Sequence, residues 1–273
     1  MIAVIIIILV YLYMIMPNLD KDRIASMSSF EKVYLTHRGF FNNKDIPENS
    51  IKAFKGTVAN GYGTELDVQL TTDNKLVVFH DESLKRMCGV DKKLTDCSYD
   101  ELLQYNLLDT DEKIPLFEDV LNVLEEDTPL IIEIKPEGDA EKTCELTVQL
   151  MKNYKRNFTM ESFNPKVVLY LKKNHPEIIR GQLAYDMFPD EESKSSFFIK
   201  FICTNYLLNF LTKPDYCAYD VNNMKGLSFQ IISRIYKAEC VAWTVKSEEM
   251  LSEANKYYQQ IIFDSFVPKE NRI

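Results

Sequence analysis

The sequence predicts an α/β fold on a mainly parallel sheet, large enough for an eight-stranded (β/α) barrel, and three observations lead to it. Nine β-rich runs alternate with longer helical patterns over residues 33–263, the order that gives parallel strands joined by helical crossovers. The chain has 273 residues, and barrels of this kind fold as single domains of about 250 residues. Hydrophobic residues make up 46% of it, enough for a sizeable core, while 27% charged residues supply a soluble surface over most of its length.

The first element is different in kind. Residues 1–16 read MIAVIIIILVYLYMIM without one charged side chain, and Pro17 ends the run. A secretory signal would carry basic residues before the run and small residues at a cleavage site; neither is present. A buried core helix would keep one polar face, and this run has none. Residues 1–19 are therefore expected to form a transmembrane anchor helix, slightly short of the ~17–25 apolar residues a spanning segment uses unless Asn18 and Leu19 extend it. Residues 20–31 read as a polar linker and 32–268 as the barrel. Lys21, Arg23 and Lys32 follow the run, which favours a membrane-anchored, single-pass protein with the rest of its chain on the cytoplasmic side.

Beyond the linker, strands are expected at 33–36, 64–70, 76–79, 130–134, 158–162, 178–183, 216–221, 241–245 and 260–263. Helices are expected at 50–60, 99–107, 116–125, 141–154, 165–173, 229–237 and 248–258. Asn49 and Ser50 give the first helix a start signal, and Asn164-Pro165 gives one to the fifth. Nine strands are one more than the barrel needs. Residues 71–75 cannot hold a crossover helix, so one pairing near them must be irregular.

A net charge of −9 argues against a nucleic-acid partner, whose phosphates call for clustered Lys and Arg. It does not exclude a phosphate ester, because a bound cation can invert the field of one pocket. The six cysteines lack CxxC or zinc-type spacing and read as reduced structural thiols. The acidic stretches 109–112 and 190–192 read as solvated loops.

There are three histidines. His37 ends the first strand, in LTHRGF, and His80 ends the third, in VVFHDE; His175, in KKNHPE, reads as a surface residue. Strand C-termini line the working face of such a barrel. Glu65 and Asp67 lie two apart on one strand and so share a face, opposite Leu66 and Val68; Glu133 and Lys135 repeat this on the fourth strand. Buried charges of this number must pair with one another or hold a metal. Both readings stand at this point: an ion-pair network tying strands together, or a carboxylate site whose hard oxygens suit Mg²⁺ or Ca²⁺.

Further motifs accompany them: His37-Arg38-Gly39, Pro47-Glu48-Asn49-Ser50, Glu65-Leu66-Asp67-Val68, Val78-Phe79-His80-Asp81, Ile114-Pro115-Leu116, Glu133-Ile134-Lys135, Ser162-Phe163 and Trp243-Thr244-Val245. In order and spacing, over residues 32 to about 265, the chain resembles the glycerophosphodiester phosphodiesterase family. The resemblance implies a TIM-type barrel with one divalent cation, Mg²⁺ or Ca²⁺, held by Glu65, Asp67 and Glu133. It implies that His37 and His80 are the acid/base pair, that Arg38 and Lys135 face the phosphate, and that Glu48 and Trp243 contact substrate. The implied reaction is hydrolysis of a glycerophosphodiester, or of a lysophospholipid in a membrane, to a glycerol phosphate and an alcohol. Asn49 reads equally as a site residue or as a helix cap. The last strand departs from the family pattern, with Phe263 in place of a small hydroxyl residue and Phe266 in place of proline.

Overall fold

The computed structural model describes residues 1–28, 30, 33–154, 157–191 and 193–270; Lys32 and Glu192, named above, lie outside these. Nine strands form: β1 Leu35–Thr36, β2 Gly63–Leu70, β3 Leu76–Val78, β4 Leu130–Ile134, β5 Phe158–Ser162, β6 Arg180–Ala184, β7 Tyr216–Asp220, β8 Glu239–Val245 and β9 Gln260–Phe263. Their order is β1-β9-β8-β7-β6-β5-β4-β2, closed by parallel pairing of β1 with β2. This is an eight-stranded parallel TIM barrel. The ninth strand is β3, antiparallel to β2 through Val68 and Val78. It follows a tight turn in which Thr71 N–H donates to Lys75 C=O, so the irregular pairing lies where the short connection required it.

Alternation along the strands decides what faces where. Leu66, Val68, Leu130, Ile132, Ile134 and Met160 face outward into a core shared with the helices Phe117–Val123, Ala140–Met151 and Pro165–Asn174. Leu35, Ile131, Tyr216, Ala218, Val241 and Ile262 face the barrel axis and pack together. Tyr216 fits there because Gly181 stands beside it: a Cβ on Gly181 would lie 2.2 Å from the Tyr216 ring. The same inward rows, continued toward the strand C-termini, carry Glu65, Asp67, Glu133, Lys135, Glu161 and Trp243. A dry lower layer therefore supports a charged upper one.

Two expectations about the N-terminal region need correction. The segment read as a linker is packed structure. It forms a short helix, Lys21–Ala25, capped by Asp20, and Met27 and Phe30 close the barrel floor, both essentially fully buried. Arg23 fixes it there, with Nη2 2.7 Å from Asp215 Oδ2 and Nε 2.8 Å from Oδ1. The apolar helix runs over Ile2–Ile15, 14 residues. At 1.5 Å per residue it reaches about 21 Å, short of the ~30 Å hydrocarbon core. Among the described residues, no helix is long and apolar enough to cross a membrane.

That helix lies against the barrel wall by its second half alone. Tyr11 Oη is 2.7 Å from Ser228 Oγ, which bonds Asn205, and Ile15 C=O accepts from Asn209. Asn18 N–H then donates to Pro214 C=O, just before β7 begins. Ser228 opens the helix that follows β7. The apolar helix thus descends toward the floor, and residues 1–10, all exposed, project from the end where the strands terminate. All six cysteines are free thiols. His175 is buried rather than superficial, its Nε2 2.8 Å from Glu145 Oε2 at the end of the helix Pro165–Asn174.

Candidate active site

The strands converge their acids as their alternation requires. Glu65 and Asp67 on β2 and Glu133 on β4 each offer an oxygen, all within 4.8 Å of one another, and all three residues are buried. Asp67 and Glu133 are directly opposite in the β2–β4 register. Burial and the neighbouring Asp67 and Glu133 raise Glu65 well above the usual carboxylate range. Burial likewise raises Glu133. It penalises Asp67 too, but His80, Lys135 and Arg38 hold that carboxyl below its usual range. Three acids this close cannot all ionise unaided. A divalent cation would remove the conflict, and the donor set fits one: hard carboxylate oxygens, with buried Asp67 Oδ1 accepting no hydrogen bond.

The two histidines flank this cluster, each with its own carboxylate. His37 follows β1, its N–H bonded to Phe263 C=O of β9, and its Nδ1 stands 2.8 Å from Asp264 Oδ2. Burial and the nearby Arg38 push its imidazole down to about 4, against the upward pull of Asp264. The ring is therefore neutral at neutral pH, and Nδ1–H donated to Asp264 leaves Nε2 free to accept a proton. His80 follows β3, with Nδ1 2.7 Å from Asp81 Oδ1. Asp81 stays ionised well below the usual range: burial opposes this, and hydrogen bonds from His80 and Arg86 prevail.

Arg38 is held at φ +54°, a conformation uncommon outside glycine, in a turn that Gly39 permits. A Cβ on Gly39, at φ +82°, would lie 2.8 Å from Ala53 Cβ. The turn aims Arg38 N–H at Glu65 Oε2, 3.2 Å away, and Nε toward Asp67 Oδ2 at 3.4 Å. Lys135 Nζ is 2.9 Å from Glu133 Oε1 and 3.5 Å from Asp67 Oδ1. Burial disfavours its charge, but those two carboxylates raise the ammonium above its ordinary value. Trp243 stands edge-on to Phe163, ring centres 5.3 Å apart. Above the acids opens a cavity of about 760 Å³, lined by His80, Glu133, Lys135, Tyr185, Met187 and Trp243 among others.

Two expected roles change. Glu48, expected among the substrate contacts, has both oxygens engaged: Oε1 by Arg38 and Arg86, Oε2 by Asn43 and Arg86. Burial opposes its ionisation, yet these partners bring it down to about 2, and its place is behind Arg38. Asn49 is not the helix cap. Ser50 accepts from Ala53 N–H, while Asn49, at φ +55°, donates Nδ2 to Asp67 Oδ2 at 2.9 Å. Asp264 and Glu161 escaped the sequence reading. Each sits on an inward row, as the recognised acids do, and an isolated acid ending or interrupting an apolar strand (QIIFD, FTMES) is the signal that marks them. Glu161 lies opposite Glu133, and burial and that neighbour push it up to about 8.

Comparison with known proteins bears on the fold and the family. A glycerophosphodiester phosphodiesterase from Caldanaerobacter subterraneus subsp. tengcongensis is 32% identical over 55% of the chain and 65% of its own length. Lysophospholipase D GDPD1 of Rattus norvegicus is 35% identical over 45% of the chain and 42% of its own length; the matched segments thus span less than two thirds of these relatives. A crystal structure of a Thermotoga maritima glycerophosphodiester phosphodiesterase superposes with a TM-score of 0.66 at 25% identity, covering 85% of this chain and 94% of that one. The sequence profile of the Glycerophosphoryl diester phosphodiesterase family matches residues 37–267, and the chain belongs to that family.

Proposed function

We propose that the chain hydrolyses a glycerophosphodiester to a glycerol phosphate and an alcohol, using one divalent cation and two histidines. The observation that carries this is the acid cluster Glu65, Asp67 and Glu133 with a carboxylate-held imidazole on each flank. When bound, Mg²⁺ or Ca²⁺ supplies positive charge to the non-bridging phosphate oxygens, where charge builds up in the transition state. Arg38 and Lys135 add fixed positive charge beside it. His37, neutral and with Nε2 free, takes the proton from the attacking hydroxyl. His80, its Nδ1–H held by Asp81, delivers a proton to the departing alcohol oxygen as the P–O bond breaks. Asp264 and Asp81 fix the tautomers. Glu48 positions Arg38 and Arg86, and Trp243 walls the substrate cavity.

Membrane attachment belongs to the same reading. A helix apolar on every side is stable where lipid or protein covers it, and residues 1–10 have neither cover here. Residues 1–10 reach about 15 Å, one leaflet of the hydrocarbon core, which is enough for them to dip into the membrane surface. A lysophospholipase D among the similar proteins favours lipid-derived substrates. The test is release of choline from glycerophosphocholine by the purified chain, with chelator and then with Mg²⁺ or Ca²⁺ restored. Turnover should stop with chelator and return with the ion. Undiminished turnover in excess chelator would remove the cation, and no turnover under any ion the diester reading itself.

A further inference from the structure

We propose that Phe163, Tyr185 and Trp243, with Asp220, form a pocket for a quaternary ammonium on the departing alcohol, so that a choline-like head group is selected over neutral and anionic ones. This rests on the diester reading above. The acids, the two histidines and Lys135 come from β1–β4 or from residues just after them. The next four strands each end on a side chain in one shared cavity: Phe163 after β5, Tyr185 after β6, Asp220 at the end of β7 and Trp243 on β8. Strand C-termini carry the ligand-reading groups of such a barrel, and the proton transfers described above use none of these four.

The three rings stand steeply to one another. Phe163 lies at 85° to Trp243 and 88° to Tyr185, and Tyr185 at 71° to Trp243, with ring centres 5.3, 5.7 and 6.4 Å apart. Rings set this way are walls of a corner, and a corner turns several faces to one object. Each face is electron-rich, so the object that gains most is a bulky, weakly hydrated cation. The polar handles of the rings are spent elsewhere. Tyr185 Oη donates to Asp190 Oδ2 at 2.6 Å, and Trp243 Nε1 is buried. Charge agrees with this. Asp220 and Glu137 line the same cavity, and among the described residues neither has a Lys or Arg paired with it. Asp220 gives Oδ1 to Asn222. Lys135, the one Lys or Arg in the lining, already faces Glu133 and Asp67. An anionic head group would meet uncompensated carboxylates, and a neutral one would leave the ring faces unused. His80 lines the cavity too and is the group that protonates the departing oxygen, which in choline lies only two carbons from the ammonium.

The experiment gives the full-length chain glycerophosphocholine and its neutral isostere, the 3,3-dimethylbutyl diester of glycerol phosphate, in which carbon replaces the nitrogen at the same shape. Glycerol phosphate release is read for both. kcat/KM should favour the choline diester by about tenfold, the size that cation–π contacts and one carboxylate supply together. The ammonium also eases departure of its own oxygen, so the change in this ratio between parent and variants decides. Asp220→Asn and Tyr185→Leu should each lower the ratio by about threefold or more. General damage to fold or catalysis slows both substrates together and leaves the ratio where it was. A ratio that neither variant moves would overturn the pocket, as would a parent ratio near one, and both outcomes leave the diester reading standing. Hydrolysis of neither diester would bring down that reading and the pocket with it.

Discussion

His37 and His80 are alike in the sequence, each ending a strand, but their surroundings give them different tasks. His37 is neutral because burial and Arg38 favour the uncharged ring. A depressed value means the group works as a base at every pH above it and is lost only as pH falls through it. The acid limb of kcat/KM should therefore lie near pH 4, well below the ~6.5 of a free imidazole. An acid limb at 6.5 in a pH–rate profile would show that His37 is not the base. Asp264 pulls the His37 value upward and fixes its tautomer. Asp264→Asn should lower kcat by about 10²-fold or more without moving that limb to higher pH. His37→Ala and His80→Ala should each remove roughly 10²–10⁴ of the rate, with circular dichroism unchanged. Residue types alone made the cluster of acids legible, because alternate positions on β2 and β4 turn Glu65, Asp67 and Glu133 to one side. Partnerships across the barrel were not legible. Asp264 is 227 residues from His37, and only closure of β9 onto β1 brings them together.

At the scale of elements, the period-two rule explains most of what the sequence showed in advance. All nine strands form close to their expected positions, since an inward apolar row and an outward one leave little freedom of register. The helix Phe197–Thr204 was missed for the converse reason: Phe197, Phe198 and Phe201 are exposed, so its apolar residues do not gather into a stripe that faces the core. Asn49 was left open because a capping residue and a site residue look identical at a helix start, and its left-handed backbone separates the two. The inward rows also create a tight spot at Gly181, where β6 passes the Tyr216 ring of β7. Gly181→Ala forces a methyl into that ring and should destabilise the fold by about 1–3 kcal/mol. Urea denaturation reads this directly, and an unchanged midpoint would mean that Tyr216 can leave the barrel axis freely.

On the scale of the whole molecule, the chain ends its first thirty residues as a floor for the barrel. The sequence hid this: the stretch after Pro17 is rich in charge and resembles a tether, yet Arg23 is spent on Asp215 and Phe30 on the core. The same packing separates two parts of the apolar helix. Residues from Tyr11 onward hold the barrel through Ser228, Asn209 and Pro214, while residues 2–10 touch water on all sides and contribute nothing to the core. Deleting residues 2–10 should therefore leave the thermal midpoint within a few degrees, the size of effect that ~1 kcal/mol produces in a domain this large. It should also leave glycerophosphocholine turnover intact. What it should abolish is co-sedimentation with phosphatidylcholine vesicles, because exposed aliphatic side chains gain about 25 cal/mol for each Å² withdrawn from water, and these nine residues hold most of that area. A shortened chain that still pellets with vesicles would transfer the attachment to the exposed phenylalanines of the helix Phe197–Thr204, and one that unfolds would show that the projecting turns support the floor after all.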